Sequence, residues 1–197
     1  MVDLLAAIPS VVYGLWAFLV LAGPLTVAIF HYGRFDENDV RMSSLALMAY
    51  SSGLLGFSLV KVLAPGFFAR QDTRTPVRIG IQSLGVNIGL NLAIVLPLAL
   101  THDRPGLHAL LALNTGIGAW YNSSMLYRGL RRQGVLKPAP GWRRLLVQIA
   151  SATVLMCAFL WWLAGDTARW IEMGAWQRVQ LMSLLVAGGG AIYFGTL

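Results

Sequence analysis

The sequence has 197 residues, of which 57% are hydrophobic and only 12% charged. An ordinary soluble domain is about a quarter charged; this balance, with a mean hydropathy of +0.65 and apolar residues gathered in blocks, excludes a soluble globular domain and points to a bilayer. The net charge of +7 would suggest nucleic acid in a soluble chain, but here the cations fall in short gaps between apolar blocks, the pattern of membrane orientation and of contact with anionic head groups.

A spanning helix needs about 20 apolar residues, and six segments supply them: 8–30, 40–64, 76–100, 107–127, 145–164 and 179–197. The first is long enough to span and lacks the basic start and small-residue cleavage site of a secretory signal, so it is expected to be a membrane helix. Breakers mark the gaps: "YGRFDEND", then "APGFFARQDTRTP", then "THDRPG", then "RGLRRQGVLKPAPGW". Pro76 suits the first turn of the third segment, where its missing N–H costs nothing. No gap holds a soluble domain.

Orientation follows from the cations. Arg70, Arg74 and Arg78 lie in the second gap, and Arg128, Arg131, Arg132, Lys137, Arg143 and Arg144 in the fourth. The opposite gaps hold Arg34, Arg41, Arg104, Arg169 and Arg178, and Lys61 sits inside the second segment. The excess puts the second and fourth gaps in the cytoplasm, and both chain ends with them.

Among residues able to carry chemistry, Lys61 stands first. It either snorkels to the head groups or lines a wet cavity that meets an anionic substrate. Arg70, Asp72 and Arg74 form either a charge-paired gate, an anion-attracting rim or a solvated loop. In the third segment, at 100° per residue, Asn87 and Asn91 share one face while Gln82, Gly85 and Gly89 share the opposite one. Glycines four apart permit close helix approach, so this helix is expected to be surrounded by protein. Asn87 and Asn91 suit either a polar ligand in a cavity or hydrogen bonds to a neighbouring helix, with Asn114 and Asn122 of the next segment as partners. The tryptophans at 142, 161, 162, 170 and 176 suit an interfacial belt.

Signs of an enzyme are weak. His31, His102 and His108 lack metal-ligand spacing, no paired carboxylates sit at membrane depth, and no phosphate-cradling loop or nucleophile elbow occurs. Cys157 is the only cysteine, which excludes an intrachain disulfide and a thiolate metal site. The chain is read as a transporter with no cofactor and no metal.

The stretches "GPLTVAIFHYGRF" (23–35), "YSSGLLGFSLVKVLAPGFFARQDTRTPVRI" (50–79) and "LYRGLRRQGVLKPAPGW" (126–142) resemble the MurJ (MviN) family of lipid II flippases, within the multidrug/oligosaccharidyl-lipid/polysaccharide exporter superfamily. The resemblance implies an all-α integral membrane fold whose six transmembrane helices match the last six of a fourteen-helix flippase: second-lobe helices followed by a C-terminal pair. It implies a partial lobe over 1–128, a basic cytoplasmic loop over 129–144 and a helix pair over 145–197, in the bacterial inner membrane. It also implies the substrate, undecaprenyl-pyrophosphate-linked disaccharide-peptide, moved to the periplasmic leaflet by alternating access for cell-wall synthesis. Lys61, Arg70 and Arg74 would then lie at the cytoplasmic mouth. Partners would be lipid II, membrane lipids and the N-terminal part of the flippase, with no nucleic acid. Export of another polyprenyl-linked glycan or a drug, and a non-transporting membrane scaffold, stand as alternatives.

Overall fold

The structure, a computed structural model, describes residues 2–101, 106–135 and 142–196. Among the described residues all regular structure is helical: α1 (Val2–Phe30), α2 (Glu37–Phe68), α3 (Arg74–Leu90), a π-helical stretch (Asn91–Val95), α4 (Leu96–Thr101), α5 (Leu107–Arg132), α6 (Trp142–Ala164), α7 (Thr167–Glu172) and α8 (Ala175–Thr196). This is an all-α membrane fold. Among the described residues, five stretches are long and apolar enough to cross a bilayer: Val11–Phe30, Glu37–Phe68, Arg74–Leu100, Val147–Ala164 and Ala175–Thr196.

Six such spans were expected. The difference is α5, whose 26 residues are long enough to cross but which falls short in apolarity. It carries Asn114, Thr115, Asn122, Ser123 and Ser124, and Asn114 and Ser123 are turned into protein rather than outward. Several boundaries also move, α5 running on to Arg132 and α6 beginning at Trp142, and one expected helix is interrupted. α2 runs four residues past Ala64, through Pro65 and Gly66. Pro65 offers no N–H to the Lys61 carbonyl, yet Phe67 is fully buried against Leu63, Leu126 and Leu130, and that burial carries the helix on. The third segment is interrupted by the π-helical stretch, closed by the Leu96 N–H on the Asn91 carbonyl. The wider turn lies directly ahead of Pro97, which has no N–H to continue a regular ladder.

Packing divides the chain into two compact units, Met1–Met48 with Gly141–Leu197, and Ala49–Pro140. In the first, α1, α6 and α8 pack around Leu21, Val27, Met156, Leu160, Leu185 and Tyr193. α2 opens with a reciprocal cap: Asp39 N–H donates to Asp36 Oδ1 at 2.8 Å and Asp36 N–H to Asp39 Oδ2 at 3.1 Å. Those carboxylates also suit the positive end of the helix dipole.

The short α7 was not foreseen. Gly165 turns the chain with φ of 63°, and α7 then drives Trp170 into the core, fully buried, its indole N–H donating to the Ala164 carbonyl at 2.8 Å. Trp170 is therefore a core residue, whereas Trp161, Trp162 and Trp176 are more than 70% exposed, as an interfacial belt requires. Arg178, counted above as a gap residue, is 5% exposed. Its guanidinium donates to the carbonyls of Trp170 (2.9 Å), Ile171 (2.9 Å), His31 (3.1 Å) and Val27 (3.4 Å) and lies 5.7 Å from the Tyr32 ring centre. The cation thus sits where the negative C-terminal ends of α1 and α7 converge.

In the second unit, α2 and α5 cross at glycines. A Cβ on Gly53 would collide with the Gly116 Cα, and one on Gly56 would lie 3.0 Å from the Ala119–Trp120 backbone. Beside the crossing, the Trp120 indole N–H donates to the Ser52 carbonyl at 3.0 Å. Only residues without side chains let two backbones meet this closely.

Candidate functional site

Both groups of candidate residues fall in the second unit. The first group gathers where α2 and α5 end and α3 begins. α2 closes with Asp72 N–H on the Phe67 carbonyl (3.1 Å) and Gln71 N–H on Phe68 (2.9 Å). This termination needs one left-handed residue, and it is Gln71, at φ of 60°, a conformation that costs an L-residue roughly 1–2 kcal/mol. α5 closes the same way, Val135 N–H on Leu130 (3.1 Å) and Gly134 N–H on Arg131 (3.0 Å), with glycine in the left-handed position at φ of 70°. Arg70 Nη1 donates to Gln133 Oε1 at 3.2 Å, tying the two terminations together.

Asp72 lies at the start of α3, where its Oδ1 accepts the Thr75 N–H at 3.0 Å. The Thr75 hydroxyl, then the Thr75 and Arg74 N–H groups, hold the carboxyl below the ordinary carboxylate range. A depressed folded-state value means that the cap contributes fully above the unfolded value, about 3.9, and is lost as pH falls through the lower one. Thr75→Val keeps the N–H and removes the hydroxyl, so the Asp72 carboxyl should titrate at higher pH, read by carboxyl-carbon NMR. An unmoved midpoint would refute the hydroxyl's part.

Lys61, Arg70 and Arg74 are all exposed. Lys61 lies seven residues before the end of α2, about 10 Å along the axis. Arg78, Arg128, Arg131 and Arg132 are exposed as well. Lys137 lies outside the described residues.

The second group is a ladder between α3 and α5. Asn114 Nδ2 donates to Asn91 Oδ1 (2.9 Å), Asn91 Nδ2 to Asn87 Oδ1 (3.0 Å), Asn87 Nδ2 to Thr115 Oγ1 (3.4 Å), and Thr115 Oγ1 to the Leu111 carbonyl (2.9 Å). Below it, Ser83 Oγ donates to the Gly118 carbonyl at 2.6 Å. The i, i+4 spacing aligns Asn87 with Asn91. Such interhelical side-chain bonds are worth ~0.6 kcal/mol each in a membrane, so the ladder sets register more than it adds stability. The Asn122 Oδ1 is buried without a partner. Sequence reasoning missed Thr115, Ser83 and the π turn; the first two carry no signal apart from their place on the α3–α5 faces.

Residues 2–179 match the family model described as "Lipid II flippase MurJ". The chain belongs to the MurJ lipid II flippase family. It is 39% identical to a lipid II flippase MurJ of Burkholderia cenocepacia over 198 residues, covering 100% of this chain and 36% of that protein. It is 39% identical to a probable lipid II flippase MurJ of Vibrio cholerae over 179 residues, 91% of this chain and 33% of that protein. It is 35% identical to that of Haemophilus influenzae over 178 residues, 90% and 33% respectively. The chain thus spans about a third of the length of the MurJ relatives it matches. Among the described residues no group of His, Cys, Asp and Glu could hold a metal ion.

Proposed function

We propose that this chain is part of a flippase that moves lipid-linked peptidoglycan precursor from the cytoplasmic to the periplasmic leaflet of the bacterial inner membrane by alternating access. The relatives' names supply the substrate; the observation in this chain that carries the reading is the charged end of the second unit. Lys61, Arg70 and Arg74 are exposed there, and the nearby Asp72 carboxylate is engaged as a helix cap. Cations left unneutralised at a polar–apolar boundary raise the local concentration of a pyrophosphate head, while the prenyl tail stays in lipid. The positive-inside count puts this end in the cytoplasm, where the substrate is made. Arg70 is held by Gln133, which fixes one cation of the mouth. The rest of the cavity would come from the parts of the family's fold that this chain does not span.

The test is complementation of a flippase-depleted strain by a full-length family protein carrying this chain in place of its matching segment. Replacing Lys61, Arg70 and Arg74 together with alanine should lower lipid II translocation about tenfold, and Lys61→Ala alone by less. Translocation at the unsubstituted rate in the triple variant would remove all three from the site.

A further inference from the structure

α2 and α5 end in the same way and differ at one position. Each termination turns through one left-handed residue, Gln71 at φ of 60° after α2 and Gly134 at φ of 70° after α5. The backbone bonds correspond: Gln71 N–H reaches the Phe68 carbonyl at 2.9 Å, and Gly134 N–H the Arg131 carbonyl at 3.0 Å. Glycine adopts this conformation freely, whereas a Cβ crowds its own backbone. Asparagine is the usual substitute, because its short amide bonds locally. Glutamine, one methylene longer, has neither advantage.

The fold gives the Gln71 side chain nothing in return. It is exposed, so it fills no core. The groups beside it are already engaged, Arg70 with Gln133 Oε1 and Asp72 with the Thr75 N–H. Among the described residues none bonds the Gln71 amide. Strain kept at an exposed residue, with no packing to enforce it, points to a use for the side chain outside the chain.

The chemistry of an amide narrows that use. A diphosphate only accepts hydrogen bonds, and the cations at 61, 70 and 74 serve it better than a neutral side chain. An amide both donates and accepts, which suits a neutral group that does the same, such as a sugar hydroxyl or acetamido group. In a polyprenyl-linked glycan the first sugar is bonded to the diphosphate. Gln71 directly follows Arg70, its Cα about 3.8 Å away, so the two side chains can serve neighbouring parts of one head group.

We propose that Gln71 is a specificity-determining residue that reads the sugar beside the diphosphate while the cations hold the phosphates. The proposal rests on the reading of the chain as part of a flippase for a lipid-linked precursor. It adds to that reading a group that tells a glycosylated polyprenyl diphosphate from a bare one.

The test uses a full-length family protein carrying this chain in place of its matching segment, in nanodiscs, with lipid II and undecaprenyl diphosphate as the two probes. Gln71→Gly removes the side chain and the strain together. It should raise the apparent melting temperature by about 1–2 °C and weaken lipid II binding about fivefold, the effect of one lost hydrogen bond. Binding of undecaprenyl diphosphate should not change. Gly134→Gln, where a new Cβ meets nothing within 4 Å, should do the reverse: a lower melting temperature with both affinities intact. Unchanged lipid II binding in the Gln71→Gly protein would overturn the proposal. So would an equal loss for both probes, which would assign the amide to the diphosphate, and so would a lower melting temperature, which would give the side chain a part in the fold. If the protein with its natural Gln71 binds neither probe, the flippase reading beneath the proposal is what fails.

Discussion

Arg178→Ala is expected to destabilise the first unit by about 3–5 kcal/mol, because several buried carbonyls lose their donor at about 1–3 kcal/mol each, and to raise hydrogen exchange at residues 27–32 and 170–178. The guanidinium holds four carbonyls from the ends of α1 and α7, and hydrogen bonds involving a charged donor contribute about 1.5–3 kcal/mol each. One of the four carbonyls, that of Val27, also accepts the His31 N–H at 3.2 Å, so its loss is partly covered. Arg178→Lys should recover less than half of the effect. An ammonium is a point donor on a flexible stem and cannot reach in the several directions served by a planar fork. Detergent-solubilised thermal melting provides the readout. A lysine variant as stable as the natural chain would mean that charge alone, set against the negative ends of two helices, accounts for the site.

The second large effect is expected at the α2–α5 crossing. Gly53→Val places a branched side chain on the Gly116 backbone, and neither partner has a side chain that can move aside. Overpacking of this kind costs about 1–3 kcal/mol, and more where the backbone itself must shift. The two helices should part, breaking the bond from the Trp120 indole to the Ser52 carbonyl. The indole N–H resonance of Trp120 then reports the separation directly. If that resonance stays in place while stability is unchanged, the crossing takes up the side chain without parting, and the backbone contact of Gly53 with Gly116 is refuted.

Much of the fold was legible because hydropathy is a local sum. Each apolar block is compared with hydrocarbon one segment at a time, and five of the six expected spans emerged from that sum. The sixth fell short for the same reason: α5 is polar on the side it turns to protein, which a sum over all its residues cannot separate. The Pro65–Gly66 pair was read as a breaker and is helical instead, since burial of Phe67 outweighed the local signal. The candidate site was legible in part. The exposed cations at 61, 70 and 74 and the asparagines at 87, 91 and 114 were visible as polar residues in or beside apolar blocks. The cap made by Asp72, the left-handed Gln71 and the Thr115 rung depend on neighbours or backbone angles that spacing does not reveal.

The sequence by itself determined that this chain lives in a bilayer, roughly where its helices lie, and which family it resembles, a resemblance the comparisons established. It did so because twenty apolar residues in a row can satisfy their backbone in hydrocarbon only as a helix. Tertiary structure alone decided which faces meet. Lipid tails are as apolar as leucine, so a helix face that binds protein and one that binds lipid can carry the same residues. Arg178 looked like one more cation in a gap and became a buried clasp because two helix ends converge on it. Glycines looked alike along the chain, yet Gly53 touches Gly116 while Gly85 and Gly89 stand open.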